Sequence, residues 1–309
     1  MTDFQLKTPV VLIIFNRPET TKRVFAEIAK AKPPILLVIA NGPRADHPED
    51  NEKCAAVRAI ISNVDWDCKV LTNYSDDNIG CFRCISGGLD WVFDTVEEAI
   101  ILEDDCVPHP TFFRFCEEML EKYRNDERIA MISGDNFQFG RKRTAYSYYF
   151  SRYPHIWGWA SWRRAWKYFD ADMKIWPEIR DGGWLQDLLG DRRSVWYWKM
   201  KFENTYKGRR DIWDYQWTLS CWTQNSLTII PNVNLISNIG FGPDALHTKD
   251  KTKLLEMTTK PMMFPISHPT YILRDSKADF FIENEMFSGI KSLILRVINR
   301  IINKLKGIQ

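Results

Sequence analysis

The first half of the chain alternates short, unbroken apolar runs with longer stretches whose apolar residues recur every three or four positions. Pro9 to Phe15 (PVVLIIF) and Ile35 to Ala40 are continuous apolar runs, the pattern of strands buried on both faces. Cys68 to Leu71, Glu98 to Leu102 and Ile129 to Ser133 repeat that pattern. Between them, the segment opened by Asn16-Arg-Pro-Glu, residues 49–62, Gly80 to Phe93 and residues 110–123 read as helices, with Pro18 suited to a first turn. Strands and helices in alternation predict an α/β fold, a mostly parallel sheet flanked by helices. Ligands of such sheets sit beyond the carboxyl ends of the strands. The loops at Asn16-Arg17, Asn41-Gly42 and Glu103-Asp104-Asp105 are therefore the places to look for chemistry.

The pattern changes after about residue 146, where Trp and Tyr become frequent. Helices are predicted around 160–168, 194–207 and 213–223, and short strands at Leu227 to Ile230 and Val233 to Ile236. No repeat, low-complexity tract or long linker intervenes, so residues 1–133 and 134–270 are read as two halves of one unit. The end of the chain, SGIKSLILRVINRIINKLKGIQ, is different again. Ile290, Ile294, Val297, Ile298, Ile301 and Leu305 make one apolar stripe, with basic residues beside it and no acid. Such a helix over 285–309 suits an anionic membrane surface, apolar face down, and equally suits docking on its own domain.

Composition narrows the field. With 42 basic and 40 acidic residues the net charge is +2, which offers no footprint for nucleic acid. Seven cysteines, an odd number without framework spacing, favour free thiols. The single CxxC, Cys81-Phe-Arg-Cys84, has no second pair or His cluster beside it to make a zinc site. The apolar run near the start follows Asp3 rather than a basic segment, and no stretch reaches the ~20 apolar residues of a membrane span. The expected location is the cytoplasm, at the inner face of the membrane if the tail adheres there. Thirteen Trp residues supply flat faces that suit carbohydrate rings as well as core packing.

The chemistry concentrates in ILEDDCVPHPTFF, where three carboxylates end a buried strand. Adjacent acids repel one another and lose hydration when enclosed. A hard cation, Mn²⁺ or Mg²⁺, relieves this and also binds phosphate oxygens. Strand alternation points Glu103 and Asp105 to one side and Asp104 to the other. A solvated acidic turn is the plainer reading.

A hydrophobic strand ending in such a triplet, after a βαβα half, resembles the GT-A glycosyltransferase superfamily. ILEDDCVPHPTFFRF and VVLIIFNRPETTKRVFAEI are similar to segments of the eukaryotic N-acetylglucosaminyltransferase family that begins complex N-glycan branching. WGWASWRRAW and NIGFG...HT resemble stretches of uncharacterised bacterial glycosyltransferases, and the likeness spans roughly residues 9–248. It implies a nucleotide-sugar-binding half (1–133), an acceptor-side half (134–270), and metal-dependent transfer of GlcNAc or a related hexose, inverting if Asp214 is the base; the fold itself hosts both outcomes. A UDP-linked donor is the expected one, and, with the tail on a membrane, a glycan or lipid-linked glycan of bacterial surface polysaccharide or glycolipid assembly is the expected acceptor. A sugar-nucleotide nucleotidyltransferase, or a non-catalytic carbohydrate- or membrane-binding protein on the same scaffold, are the alternatives. The first usually has a Gly-rich basic loop after the first strand, which IIFNRPE lacks.

The resemblance also assigns roles. Asn16 and Arg17 fall where the first loop meets base and phosphates. Asn41 stands where relatives commonly carry Asp to accept from uracil; Asn can accept, but it loses the charge. Asp105 is the direct metal ligand, Asp104 approaches the ribose or sugar, and Glu103 the sugar or a metal-bound water. His247 is a candidate metal or diphosphate ligand, and Gly240 and Gly242 let backbone amides approach the diphosphate. Gly80 and Arg83, entering a helix, offer N–H groups and a cation to phosphate, although Arg83 reads as well as a surface arginine. Asp135 either contacts the sugar or caps a helix. Asp214, between Trp213 and Tyr215, is the candidate general base, since aromatic walls raise a carboxylate's proton affinity. An N-capping role stays open for Asp214, and Asp211 is its nearest competitor. In HIWGWASWRRAW, Trp157 or Trp159 is a candidate sugar-stacking face, and Arg163 or Arg164 a partner for anionic donor or acceptor groups.

Overall fold

The computed structural model describes residues 4–240 and 257–288. The expectations for Gly242, His247 and the amphipathic tail beyond Ser288 therefore lie outside the described residues. Among the described residues, no helix is long and apolar enough to cross a membrane.

Strands and helices alternate through the first hundred residues: β1 (Val10–Ile14), α1 (Pro18–Ala31), β2 (Ile35–Ala40), α2 (Glu49–Ile61), β3 (Lys69–Tyr74), α3 (Cys81–Thr95) and β4 (Glu98–Glu103). Then come β5 (Cys106–Pro108), α4 (Thr111–Tyr123), β6 (Ile129–Ser133), β7 (Tyr148–Ser151) and β8 (Trp159–Trp162). Short helices α5 (Arg163–Trp166), α6 (Trp176–Asp181) and α7 (Trp184–Leu189) lead to the longer α8 (Arg192–Tyr206) and α9 (Asp214–Thr223). The series ends with β9 (Leu227–Pro231), β10 (Ile236–Asn238), α10 (Ser276–Ile282) and a π-helical turn at Glu283–Phe287.

One eight-stranded sheet, in the order β3-β2-β1-β4-β8-β6-β9-β7, draws on both halves of the sequence. Its pairings make β1, β2, β3, β4, β6 and β9 mutually parallel, and β7 and β8 antiparallel to them. The predicted mixed α/β architecture is what forms. All five residues of β1 are buried because each face of the sheet carries its own core. Val10, Leu12 and Ile14 pack with α1, α2 and α4, while Val11 and Ile13 pack with α3, α5 and α9. Side chains so enclosed contribute about 1.5–3 kcal/mol each by leaving water, which fixes the strand's register against its neighbours.

Three expectations are corrected. The helix predicted at 160–168 is a strand, β8, followed by a single turn. Ala160 and Trp162 fill one core and Trp159 the other, so apolar residues on both faces erased the alternation. β3 continues three residues past Leu71 into the polar Thr72-Asn73-Tyr74, as a half-exposed edge strand can. Val233 to Ile236 is not a strand of the main sheet; its end begins β10, which pairs only with β5. The aromatic run feeds a third core, where Tyr153, Trp176, Trp198, Phe202 and Trp222 pack under α10.

Candidate active site

The strand order reverses at β1, whose two neighbours are β2 and β4. A crevice opens beyond the carboxyl ends of strands at such a point, and here it is a cleft of about 410 Å³. Its lining includes Ile13, Ile14 and Phe15 from the end of β1, Asn41 after β2, and Glu103 and Asp104 at the end of β4. Arg17, in the loop after β1, reaches across the reversal. One guanidinium nitrogen donates to Asp104 and the other to Asp105 Oδ2 at 2.9 Å. Asp104 and Asp105 thus share one cation, against the alternation expected from the sequence. The reason is that β4 ends at Glu103 and the chain turns at the next two residues.

The cluster's electrostatics follow from this enclosure. Burial, with the charges of Asp105 and Asp104, pushes Glu103 up to about 8, against the pull of Arg17. Burial likewise raises Asp104 to about 6, with Arg17 opposing it. Burial works against the Arg17 charge, but Asp104 and Asp105 override it and raise its proton affinity. Two elements then close over the triplet. β5 follows it directly and pairs with β10, after which Ile239 N–H donates to the Asp105 carbonyl at 2.8 Å. Gly240 sits so tightly on the cluster that a Cβ there would lie 2.0 Å from Asp105 Oδ2.

Among the described residues, no three His, Cys, Asp or Glu side chains form a cage for a metal. The carboxylate oxygens at 103–105 are of the hard type that Mn²⁺ or Mg²⁺ takes, one or two at a time beside phosphate and water, and Arg17 holds one oxygen each of Asp104 and Asp105. Asp214, the first residue of α9, lies near enough to add its charge to those acting on Glu103. Trp213 fixes it from behind, buried and stacked on Trp159 at 5.6 Å between ring centres. Trp213 occupies the N-cap position of α9, and Asp214 is the first helical residue rather than the cap.

The other candidates divide. Asn16 Nδ2 donates to the buried Asp50 at 2.7 Å, so it braces the cleft's edge. Asn41 lines the cleft, but its oxygen already accepts from Gly42 N–H and Ile79 N–H, both at 3.0 Å. An amide oxygen has two lone pairs, so the uracil-accepting role expected for Asn41 meets an acceptor in use. Arg83 is exposed in the first turn of α3 and is not part of the cleft lining. The α3 N–H groups expected to meet phosphate are taken as well: Cys81 and Phe82 both donate to Asp211, at 2.7 and 2.8 Å.

Asp135 is fully buried, accepts from Ser133 Oγ at 2.8 Å, and starts no helix, so it is neither at the cleft surface nor a cap. Burial pushes it up to about 8. Trp159 is core, and Trp157 packs edge-on against Phe137 at 5.0 Å. Arg163 and Arg164 lie at the opposite edge of the sheet, because antiparallel β8 ends beside Glu98, where β4 begins. There Arg164 donates to the carbonyls of Tyr123, Arg124 and Ile129. Cys81 and Cys84 are free thiols whose proton affinity burial raises, to about 12 and about 11.

Sequence reasoning missed Arg44, Asp50 and Arg210. Asp50 is wholly buried and accepts from Arg44 Nε at 2.6 Å and from Asn16, which holds Arg44 against the cleft. Only the fold brings residues 16, 44 and 50 together. Arg210 and Asp211 arrive from the turn before α9, and both line the cleft.

No family model matches the chain, and no curated protein does. Neither comparison singles out the N-acetylglucosaminyltransferase family. Solved structures do align. One is a mannosyltransferase from Pyrobaculum calidifontis in complex with GDP-Man and Mn²⁺ (13% identity, 55% of this chain and 49% of that one, TM-score 0.38). Mouse xyloside xylosyltransferase 1 aligns at 11% identity over 70% of this chain and 81% of that one, with a TM-score of 0.34. A putative nucleotide-diphospho-sugar transferase from Desulfovibrio desulfuricans G20 aligns at 9% identity over 73% and 80%, with a TM-score of 0.34. The chain spans about half the length of the mannosyltransferase.

Proposed function

We propose that this chain is a glycosyltransferase that moves a sugar from a nucleoside-diphosphate donor to an acceptor hydroxyl with Mn²⁺ or Mg²⁺. The donor is UDP-linked, carrying GlcNAc or a related hexose. The acceptor is a glycan or lipid-linked glycan of bacterial surface polysaccharide or glycolipid assembly. The observation that carries this reading is the acidic triplet at the sheet's reversal point, bridged by Arg17 and within electrostatic reach of Asp214.

In this reading the apolar floor of Ile13, Phe15 and Ile85 receives the nucleoside, and Glu103 and Asp104 face the diphosphate, with Asp105 beside them. Asp105 and its neighbours hold the cation, which, when bound, supplies positive charge against the departing diphosphate. Arg17 keeps Asp104 and Asp105 oriented. The acceptor oxygen forms its bond to the anomeric carbon as the bond to the diphosphate breaks. The hydroxyl proton passes to the Asp214 carboxylate, and such a displacement inverts the anomeric centre. The acceptor is assigned to a second cavity of about 830 Å³, beyond the carboxyl ends of β6 and β9 and lined in part by Asn136, Tyr146, Asn232 and Lys260.

A thermal-shift screen of UDP, GDP, CDP and ADP, with and without Mn²⁺, tests the donor class. A nucleotide at about 100 times its Kd stabilises by about 2.7 kcal/mol. UDP should raise the melting temperature, and more so with Mn²⁺. The absence of a shift with every nucleotide, metal present or not, contradicts the proposal.

A further inference from the structure

Three arginines line the cleft, and two are already committed. Arg17 is paired with Asp104 and Asp105, and Arg44 with Asp50. Arg210 is exposed and has neither an ion-pair nor a hydrogen-bond partner among the described residues. The next residue explains how it is held there. Asp211 clasps the first turn of α3 through both carboxylate oxygens, at 2.7 and 2.8 Å from the N–H groups of Cys81 and Phe82. Gly80, at φ +85°, lets the carboxylate come this close, since a Cβ there would lie 3.0 Å from Asp211 Oδ2. Two residues later Trp213 is locked against Trp159 in the core. The turn carrying Arg210 is therefore pinned on its C-terminal side at two successive points.

The clasp has a chemical consequence. The helix terminus that would ordinarily attract a phosphate is filled by a carboxylate of the protein itself. An anionic donor entering between Glu103, Asp104 and Asp211 meets three acids, and of the cleft's own cations Arg210 alone is uncommitted among the described residues. We infer that Arg210 is the diphosphate-binding cation of the donor cleft, presented by the Asp211 clasp. This rests on the nucleoside-diphosphate reading above. A guanidinium suits the task because its planar fork of donors matches phosphate oxygens.

Titration calorimetry with UDP, GDP and UMP in the presence of Mn²⁺ tests it on wild type, Arg210→Ala, Arg210→Lys and Arg209→Ala. Arg209 is an exposed neighbour outside the cleft lining and bonded to Asn204, so its variant controls for general charge loss. Arg210→Ala should weaken the diphosphate roughly tenfold, as expected for losing a charge-assisted contact, and should weaken UMP much less. Arg210→Lys should recover part of the loss, and Arg209→Ala should bind as wild type does. Undiminished diphosphate binding by Arg210→Ala, or equal losses for UDP and UMP, overturns the assignment alone. Wild-type protein that binds no nucleoside diphosphate overturns the assignment together with the functional reading beneath it.

Discussion

Gly240→Ala is the smallest change that should disarm the acidic cluster without touching an acid. The added methyl would sit 2.0 Å from Asp105 Oδ2 and 2.9 Å from Arg17 Nη1, where ordinary contact is roughly 3.5 Å. The backbone has little room to yield. Ile239 N–H is bonded to the Asp105 carbonyl at 2.8 Å, and Gly240 N–H to Asn238 Oδ1 at 2.9 Å. The carboxylate must therefore swing off Arg17 and break the 2.9 Å pair. Side-chain exposures of 23% and 14% put that pair between a surface and a buried one. The expected cost is about 1–3 kcal/mol, or a few degrees of melting temperature. Far-ultraviolet circular dichroism should stay unchanged, while Mn²⁺-stimulated hydrolysis of the UDP-sugar falls more than about tenfold. Gly140→Ala is the control: its φ of +83° makes alanine strained, but beyond its two chain neighbours no atom lies within 4 Å of the new methyl, so it should cost stability and spare hydrolysis. A Gly240→Ala protein with wild-type melting and wild-type hydrolysis would refute the packing argument.

Three other outcomes are expected. Asp214→Asn should lower kcat by about 10²–10⁴ while UDP affinity changes less than about twofold; steady-state kinetics showing an unimpaired kcat would remove Asp214 from the mechanism. Asp50→Ala strips a buried acceptor from Arg44 and Asn16. With Arg44 partly exposed it should cost about 2–4 kcal/mol in urea unfolding, and a loss below about 1 kcal/mol would show that the network is slack. Asp135 is raised to about 8 by burial, so the folded state keeps a proton that the unfolded chain gives up at about pH 4. Wild-type stability should therefore fall as pH rises from about 4 to about 8 on account of this residue. The advantage of Asp135→Asn should grow over the same window, by at most about 1.4 kcal/mol per pH unit, and a pH-independent difference would contradict the assigned burial.

The sequence spoke most clearly where a residue's surroundings are made by its immediate neighbours. β1, β2, β4 and β6 are covered on both faces, so their runs are unbroken and their ends could be placed within a residue or two. The triplet at 103–105 was legible for the same reason, because a buried strand has to end somewhere near its sheet's rim. β8 was illegible because Trp159 and Trp162 serve opposite cores, leaving no period to detect. β5 and β10 are three residues each, too short for a pattern. The base contact expected of Asn41 came from its position in the resemblance, and sequence could not show that its oxygen closes a backbone turn around Ile79. Arg44, Asp50 and the Asp211 clasp rest on contacts formed only after folding; the clasp spans some 130 residues of chain. Arg163 and Arg164 looked functional in sequence, but an antiparallel strand carries them to the far rim.

The central claim is that the acids after β4 hold a divalent cation against a nucleotide diphosphate. It is tested most directly by following UDP release from UDP-GlcNAc and related UDP-hexoses with Mn²⁺, Mg²⁺ or EDTA, for wild type and Asp105→Ala. Wild type should release UDP only with metal, and Asp105→Ala should lose that stimulation while melting as a folded protein. Equal release by the two proteins, or wild-type release undiminished by EDTA, would contradict the account.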